Sequence, residues 1–312
     1  MTLTCGIDVG GTKIAGGVVD PAGRILEQAR VTSPASDPGA IEHAITELVA
    51  GFRHRHEVTA VGVGAAGYVD KARSTVLFAA NLAWRDVALR TDLESRIGLP
   101  VVVENDANAA AWGEFAFGAG ADVQDLLLIT VGTGIGGGIV LEGELHRGAF
   151  GIGAEIGHMR VLPGGHLCGC GNRGCWEQYG SGSALVRHTR EAAGTDPGGA
   201  GLLGRVEGNH GRITGPLITR AAQEGDLFAV QRLAELGRWL GEGAASLAAV
   251  LDPAVVVVGG GVSAAGDLLL GPLRAAFERE LPGRDHRPMP EIRPAALGND
   301  AGVIGAADLA RR

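Results

Sequence analysis

Apolar and polar positions along this chain alternate between short β-type runs and longer stretches with helical spacing. Seven apolar runs have the length and β-branched content of strands: Thr4–Val9, Ile14–Val19, Val61–Ala65, Val101–Glu104, Leu126–Val131, Gly138–Leu141 and Ala254–Val258. Five stretches repeat apolar residues at helical intervals: Ala40–Arg53, Asp106–Ala116, Ala184–Ala193, Leu227–Leu251 and Asp267–Glu280. Because strands that alternate with helices are typical of layered folds, the pattern predicts the α/β class.

The two halves of the chain begin with the same supersecondary pattern. Leu3–Gln28 reads as strand, DVGGT turn, strand, DPAG turn and strand, and Asp125–His146 reads as strand, VGTGIGGG turn, strand, LEGE turn and strand. This repeat predicts two similar lobes with a cleft between them, which the first turn of each meander would face. We place the lobes at 1–119 and 120–298, followed by a C-terminal helix at 299–312 that would pack back on the first lobe.

Composition and charge limit the classes of function. Hydrophobic residues make up 46% of the 312, enough for two buried cores, and the net charge of −8 argues against a nucleic-acid surface. No apolar run approaches the roughly 20 residues that cross a bilayer, and MTLTCGIDVGG lacks the features of a signal peptide. We therefore expect a cytoplasmic protein with no nucleic-acid and no membrane partner. In that compartment four cysteines favour a metal site over disulfides.

Glycine clusters directly follow several apolar strands. In the hairpin DVGGTK, Gly10 and Gly11 would let the backbone approach a phosphate closely. Thr12 would add a hydroxyl donor beside Lys13, and Asp8 would hold Mg²⁺ through water. An ordinary glycine hairpin has the same sequence, so this motif alone leaves both interpretations open.

Two further glycine clusters extend the phosphate-binding interpretation. The turn Val131–Gly138 repeats the first design in the second half, where Thr133 and Gly134 would grip the same polyphosphate. After the last predicted strand, a third cluster would let adenine and ribose lie against the backbone: Gly259, Gly260, Gly261 and Val262. This cluster is equally compatible with a tight strand-to-helix turn. The glycine-rich segment 194–215 has no clear period and receives no functional assignment.

Asp106 follows the apolar run Val101–Val103 at the predicted start of a helix. Asp is a preferred N-cap residue, so a capping role is one interpretation. The other is a general base that accepts the proton of a sugar hydroxyl during phosphoryl transfer, with Asn105 hydrogen-bonding neighbouring hydroxyls. Beside two predicted phosphate turns, the base is favoured.

The densest motif is EIGH, followed after nine residues by CGCGNRGCWE. His158, Cys168, Cys170 and Cys175 form a complete tetrahedral ligand set, which predicts a structural Zn²⁺ with no open position. The remaining Cys5 lies in the first strand and reads as a small buried hydrophobe.

The zinc loop also contains candidate sugar ligands. Glu155, His158 and Glu177 would be held in one region by the metal, and rigid carboxylates suit the fixed hydroxyl donors of a sugar. Support of the metal loop, or simple solvent exposure, would explain the two glutamates equally well.

These motifs resemble the sugar kinases of the ROK family (repressors, open reading frames and sugar kinases), and most closely its bacterial ATP-dependent glucokinases. DVGGTK, ENDANAAAWGE, VGTGIGGG, the EIGH…CGCGNRGCWEQ cluster and VGGGVS occur in the family's order and cover essentially the whole chain. The resemblance implies two actin-like, ribonuclease H-like lobes, ATP with Mg²⁺, and a homodimer or homotetramer. By match to the family motifs, Asp106 would be the catalytic base. The implied hexose contacts are Asn105, Asp106, Glu155, His158 and Glu177, and the implied zinc ligands are His158, Cys168, Cys170 and Cys175.

The expected reaction is ATP-dependent phosphorylation of a hexose, with conversion of glucose to glucose 6-phosphate favoured. N-acetylmannosamine and allose remain alternative substrates, whereas fructose is disfavoured because the family's fructokinases tend to have a second histidine in the zinc cluster. Polyphosphate is an alternative donor, although the VGGGVS turn favours ATP. A sugar-sensing repressor is the remaining alternative, which the seven residues before Asp8 and the negative charge disfavour.

Overall fold

A computed structural model describes residues 2–312, so that residue 1, where the predicted first lobe begins, lies outside the described residues. The described part contains these strands: β1 (Leu3–Val9), β2 (Lys13–Val19), β3 (Ile25–Thr32), β4 (Val58–Ala65), β5 (Tyr68–Val69), β6 (Val76–Phe78), β7 (Arg85–Val87), β8 (Val101–Asn105), β9 (Leu126–Val131), β10 (Ile135–Leu141), β11 (Glu144–Leu145), β12 (Val255–Gly259) and β13 (Glu291–Pro294). Its α-helices are α1 (Pro38–Arg53), α2 (Leu89–Ile97), α3 (Asp106–Phe117), α4 (Glu177–Gly180), α5 (Gly182–Ala193), α6 (Ala200–Gly204), α7 (Gly215–Gln223), α8 (Leu227–Leu251), α9 (Asp267–Glu280) and α10 (Ala301–Leu309). The predicted α/β class and every predicted strand and helix are confirmed, with ends that differ by a few residues.

Two five-stranded sheets share one strand order. The first has the order β3-β2-β1-β4-β8 and the second has the order β11-β10-β9-β12-β13. Across each sheet, the three strands of the meander come first, in reverse chain order, and two strands from later in the chain follow. β1 pairs antiparallel with β2 and parallel with β4, which in turn pairs parallel with β8. The internal repeat read from the sequence is therefore present as a repeated sheet.

Glycines on the first sheet allow a helix to pack directly on the strands. A Cβ at Gly6 would lie 1.8 Å from the carbonyl oxygen of Val303, and one at Gly62 would lie 1.8 Å from that of Ala306. Helix α10 is buried along its whole length, and Thr4 Oγ1 donates to the Ala307 carbonyl at 2.8 Å. Because real Cβ atoms do not come so close, the sheet accepts α10 only with glycine at these positions.

The chain divides into two compact units. Unit 1 contains the residues up to Leu128 together with Gly137–Ala154 and Ala295–Arg312, and unit 2 contains Ile129–Gly136 and Glu155–Pro294. The lobe boundaries predicted at 119/120 and 298/299 stay a prediction. Within the range 2–312, no helix is both long enough and apolar enough to span a bilayer.

Candidate active site

The first glycine turn joins β1 to β2 in unit 1 as a tight hairpin. The Gly10 amide donates to the Lys13 carbonyl at 3.0 Å, and the Thr12 and Lys13 side chains are exposed. Asp8 lies partly buried at the end of β1, and burial raises the pKa of its carboxyl, with Lys13 opposing the shift. A nearby cation stabilises a carboxylate that burial disfavours, so this position fits the Mg²⁺ contact expected from the sequence.

The second glycine turn, in unit 2, packs directly against a predicted sugar ligand. A Cβ at Gly134 would lie 2.6 Å from Glu177 Oε2, so the turn reaches this carboxylate only because position 134 has no side chain. The Gly182 amide, at the start of α5, donates to the Gly132 carbonyl at 2.8 Å. The exposed Thr133 lies between these two glycines. The turn therefore links the helix after the zinc loop to the Glu177 carboxylate.

The third glycine cluster follows β12 and adopts a conformation that needs glycine. Gly260 has φ +88°, and a Cβ there would lie 2.5 Å from the Val131 carbonyl oxygen of the neighbouring strand. A short 3₁₀ helix, Gly261–Ala265, begins at the next residue. The strand-to-helix turn that the sequence allowed is thus present, and it exposes the Gly261 backbone.

A cavity of about 1040 Å³ in unit 2 lies beside the second and third glycine clusters. It is lined by Gly132, Thr133, Gly182, Ser183, Leu185, Val186, Arg187, Arg190, Glu191, Gly215, Pro216, Thr219, Arg220, Gln223, Gly261, Val262 and Ala264. Its volume is slightly above the usual range for small-molecule sites, roughly 300–1,000 Å³. The cavity thus has room for a ligand the size of a nucleotide.

Sequence reasoning missed most of this lining. Helices α5 and α7 supply Arg187, Arg190, Thr219 and Arg220, and Gly215 closes the segment that received no assignment. The start of α7 has a recognisable signal, because Thr214 caps the helix and a proline occupies its first turn. That signal predicts a helix, but it does not predict that the helix lies beside the turn at Gly132 and Thr133, more than eighty positions earlier in the chain.

The predicted zinc ligands come together in unit 2. The ligand atoms of His158, Cys168, Cys170 and Cys175 all lie within 4.8 Å of one another. Cys168 Sγ is 3.6 Å from His158 Nδ1, and Cys170 Sγ is 3.6 Å from Cys175 Sγ. Tetrahedral zinc, with bonds of about 2.0–2.3 Å, separates its ligand atoms by similar distances. The donor set therefore fits a structural Zn²⁺.

The backbone of the zinc loop is folded tightly around these ligands. The Cys168 amide donates to the Asn172 carbonyl at 2.8 Å, and Gly171 has φ +90°. A Cβ at Gly174, which has φ +81°, would lie 1.7 Å from the Leu162 carbonyl oxygen. After the last ligand, the buried Trp176 donates its indole N–H to the Trp239 carbonyl at 2.8 Å, which ties the loop to α8.

Two carboxylates flank His158. Glu177 Oε1 accepts from the Cys168 thiol at 2.9 Å and lies 3.9 Å from His158 Nδ1. Glu155 Oε2 lies 3.9 Å from the other ring nitrogen, Nε2, and burial raises the pKa of this carboxyl. With Nδ1 directed to the cluster, Nε2 and the two carboxylates remain available to polar ligands. The structure thus brings together the sugar ligands predicted in this half of the chain.

The remaining predicted residues, Asn105 and Asp106, lie in unit 1. Asn105 is the N-cap of α3: its Oδ1 accepts from the Asn108 amide at 2.9 Å, and its Nδ2 donates to the Gly67 carbonyl at 3.1 Å. The capping interpretation of Asp106 is therefore wrong, because the preceding residue already caps the helix. Asp106 is the first residue of α3, where its Oδ1 accepts from the Ala107 amide at 2.9 Å. The helix dipole favours a negative charge at this position.

The chain is similar to known proteins along almost its whole length. The ROK family profile matches residues 4–312. The chain is 52% identical over 312 residues to a glucokinase of Streptomyces coelicolor, which covers 100% of this chain and 98% of that protein. It is 33% identical over 308 residues to an N-acetylmannosamine kinase of Yersinia pseudotuberculosis, covering 98% of this chain and 97% of that protein. The crystal structure of a ROK family glucokinase from Streptomyces griseus in complex with glucose and AMPPNP aligns with a TM-score of 0.91 and 54% identity, covering 99% of each chain.

Proposed function

Because the chain belongs to the ROK family, we propose that it transfers the γ-phosphoryl group of ATP to glucose and releases glucose 6-phosphate and ADP. The observation that carries this proposal is the match, over 99% of each chain, to a glucokinase structure that holds both glucose and an ATP analogue. The full-length similarity to a second glucokinase supports the same reaction.

The proposed ATP site is the cavity of unit 2 together with the glycine turns. Adenine and ribose would occupy the cavity against the backbone of Gly261 and Val262, and Thr133 and Gly134 would contact the phosphates. The hairpin of Gly10, Gly11, Thr12 and Lys13 would provide further donors. Asp8 would hold Mg²⁺, which when bound neutralises part of the phosphate charge.

The proposed sugar site combines carboxylate acceptors with N–H donors, since His158 has its proton on Nε2 when Nδ1 ligates the metal. Glu155, Glu177 and His158 Nε2 lie around the zinc cluster, and Asn105 retains one amide hydrogen beyond the one it donates to Gly67. His158 and the three cysteines would hold a Zn²⁺ whose part is structural, since all four of its positions are filled by protein.

Asp106 is the proposed general base. It would accept the proton of the attacking sugar hydroxyl while the new P–O bond forms and the bond from the γ-phosphorus to the bridging oxygen breaks, so that ADP leaves. Its position at the start of α3 leaves helix capping to Asn105. The carboxylate is therefore not required as a cap.

A panel of sugars and donors tests the proposal. In a coupled assay of ADP release, we expect glucose to give the highest kcat/KM among glucose, N-acetylmannosamine, allose and fructose. The similarity to an N-acetylmannosamine kinase makes that sugar the second candidate, and a higher kcat/KM for it would replace glucose. Formation of sugar phosphate with polyphosphate in the absence of ATP would show that polyphosphate can act as the phosphoryl donor.

Assembly is proposed on the family resemblance alone. We expect a homodimer or homotetramer, which light scattering after size-exclusion chromatography would measure directly. A mass of 31.8 kDa, that of one chain, would contradict this proposal. The expected cytoplasmic location stays a prediction.

A further inference from the structure

A buried carboxylate that the proposed chemistry does not use lies next to the proposed catalytic base. Glu104, the residue before the N-cap of α3, is 2% exposed. Its Oε1 accepts from the Asn105 backbone amide at 3.2 Å and from Asn108 Nδ2 at 3.1 Å. Both donors belong to the first turn of α3 or its cap. The Glu104 carboxylate therefore helps to fix the start of the helix that carries Asp106.

The other oxygen of Glu104 holds a distant part of unit 1. Glu104 Oε2 accepts from Arg147 Nε at 2.7 Å, across 43 positions of sequence. The Arg147 carbonyl accepts from the Gly153 amide at 2.9 Å, which closes the loop 147–153. Gly151, with φ +94°, seats this loop against the turn between β5 and β6, since a Cβ there would lie 2.4 Å from the Lys71 amide nitrogen. One residue after the loop, Ala154 has φ +67°, and Glu155 follows.

A second guanidinium completes the cluster. Arg73 Nε lies 3.6 Å from Glu104 Oε2, and Arg73 Nη2 donates to the Leu309 carbonyl at 3.2 Å. Both arginine side chains are 22% exposed, so the charges are largely removed from water. Buried ion pairs contribute little net stability because desolvation offsets their attraction. The geometry of this cluster therefore calls for a role other than stability.

We propose that Glu104 and Arg147 are positioning residues for phosphoryl transfer. One carboxylate holds the start of α3, and hence Asp106, while its partner arginine anchors the loop through which the chain reaches Glu155. The contact between Glu104 and Arg147 would thus fix both the position of Asp106 and the end of the loop that precedes Glu155. This inference rests on the proposed function, in which Asp106 and Glu155 act on the sugar.

The test compares Arg147→Met with Arg311→Met. Arg311 is a matched control in unit 1, since its side chain is 13% exposed and pairs at 3.0 Å with Asp308, which is 9% exposed. We expect both variants to lower Tm, but only Arg147→Met to lower kcat/KM for glucose, by about 10- to 100-fold, because small misplacements of reacting groups are costly. The KM for ATP should change by less than about twofold in both, since the proposed nucleotide cavity contains neither residue.

A variant without the three charges of the cluster separates positioning from stability. Arg73→Met, Glu104→Gln and Arg147→Met together leave no buried charge unpaired, so we expect Tm to recover relative to Arg147→Met while kcat/KM for glucose stays low. If Arg147→Met does not fold, Arg147→Lys takes its place, and it should retain Tm but lose part of kcat/KM. Kinetic constants equal to those of Arg311→Met, or activity that recovers in step with Tm, would overturn the inference. Absence of hexose phosphorylation by the wild type would instead overturn the proposed function, and this inference with it.

Discussion

The two parts of the proposed sugar site are held by different means. In unit 1, Asn105 and Asp106 lie at the start of α3. Asn105 caps this helix, and the buried Glu104 carboxylate accepts hydrogen bonds from its first turn. In unit 2, Glu155 and Glu177 flank His158, a member of the four-residue cluster whose geometry fits zinc. The first arrangement is held by hydrogen bonds and ion pairs within the protein, whereas the second is arranged around ligands that would bind a metal.

Because of this difference, the two parts of the proposed sugar site should respond differently to loss of the metal. Burial raises the pKa of the Cys168 and Cys175 thiols, so without a cation these groups favour the neutral form. A bound Zn²⁺ would hold them as thiolates and fix the loop. We therefore expect metal loss to affect sugar binding through unit 2 and to leave the start of α3 intact.

The largest expected effect tests the chemical role of unit 1. Asp106→Asn keeps the shape of the side chain but cannot accept a proton, so kcat should fall at least about 10²-fold. Because Asn105 caps the helix, Tm should stay near that of the wild type. Asn105→Ala, by contrast, should lower Tm, because loss of the helix cap reduces the free energy of unfolding by about 1 kcal/mol. Near-normal turnover by Asp106→Asn would remove Asp106 from the mechanism.

The next effect tests the metal dependence of unit 2. Cys170→Ser should lose zinc and raise the Kd for glucose by about 10- to 100-fold, the scale on which loss of supporting contacts weakens a metal site. Metal analysis of the wild type should give about one zinc per chain, as one four-ligand site requires. Calorimetry with glucose measures the affinity directly. A zinc-free variant that binds glucose normally would show that the cluster does not organise the sugar ligands.

A smaller effect sharpens the link between the phosphate turn and the sugar ligand inside unit 2. Gly134→Ala places a methyl group 2.6 Å from Glu177 Oε2, so the carboxylate must move. We expect the KM for glucose to rise about 5- to 10-fold, the factor for about 1 kcal/mol of lost binding. Gly132→Ala is the comparison in the same turn, because its Cβ would meet no atom within 4 Å. Equal glucose KM values for the two variants would show that contact with Glu177 is irrelevant.

The smallest effect concerns stability and pH in unit 1. Because burial raises the pKa of Asp8, the folded state binds this proton more tightly than the unfolded state does. The wild type therefore loses stability as the pH rises from the unfolded value, about 3.9, through the higher folded pKa. Asp8→Asn removes this loss, so its Tm at pH 7 should exceed that of the wild type, with the difference shrinking toward pH of about 4.

A matched exposed carboxylate provides the control for this titration. Asp86, an exposed residue of β7, should give little change in Tm when replaced by Asn. Thermal unfolding of the wild type and both variants across pH, without nucleotide or Mg²⁺, measures the differences. A lower Tm for Asp8→Asn at pH 7 would show that the Asp8 charge stabilises the fold, contrary to the expected direction.

The local features of this protein can be predicted from its amino-acid sequence. Apolar periodicity predicts the strands and helices, and glycine clusters directly after apolar runs predict the turns. The short spacing of three cysteines predicts the metal cluster. The repeated pattern also predicted the three-stranded meander that each sheet contains. These features depend on residues that are close in sequence, where spacing and geometry are directly related.

The residue that caps α3 and the contacts between distant residues follow from the tertiary structure and not from spacing in the sequence. The tertiary structure assigned the cap of α3 to Asn105, brought α5 and α7 to the glycine turns, and joined Glu104 to Arg147. The cap depends on a backbone hydrogen bond, and the other two contacts depend on a topology that brings separate elements together. A carboxylate and a guanidinium 43 positions apart have no spacing that predicts their contact, because the path of the chain between them sets the distance.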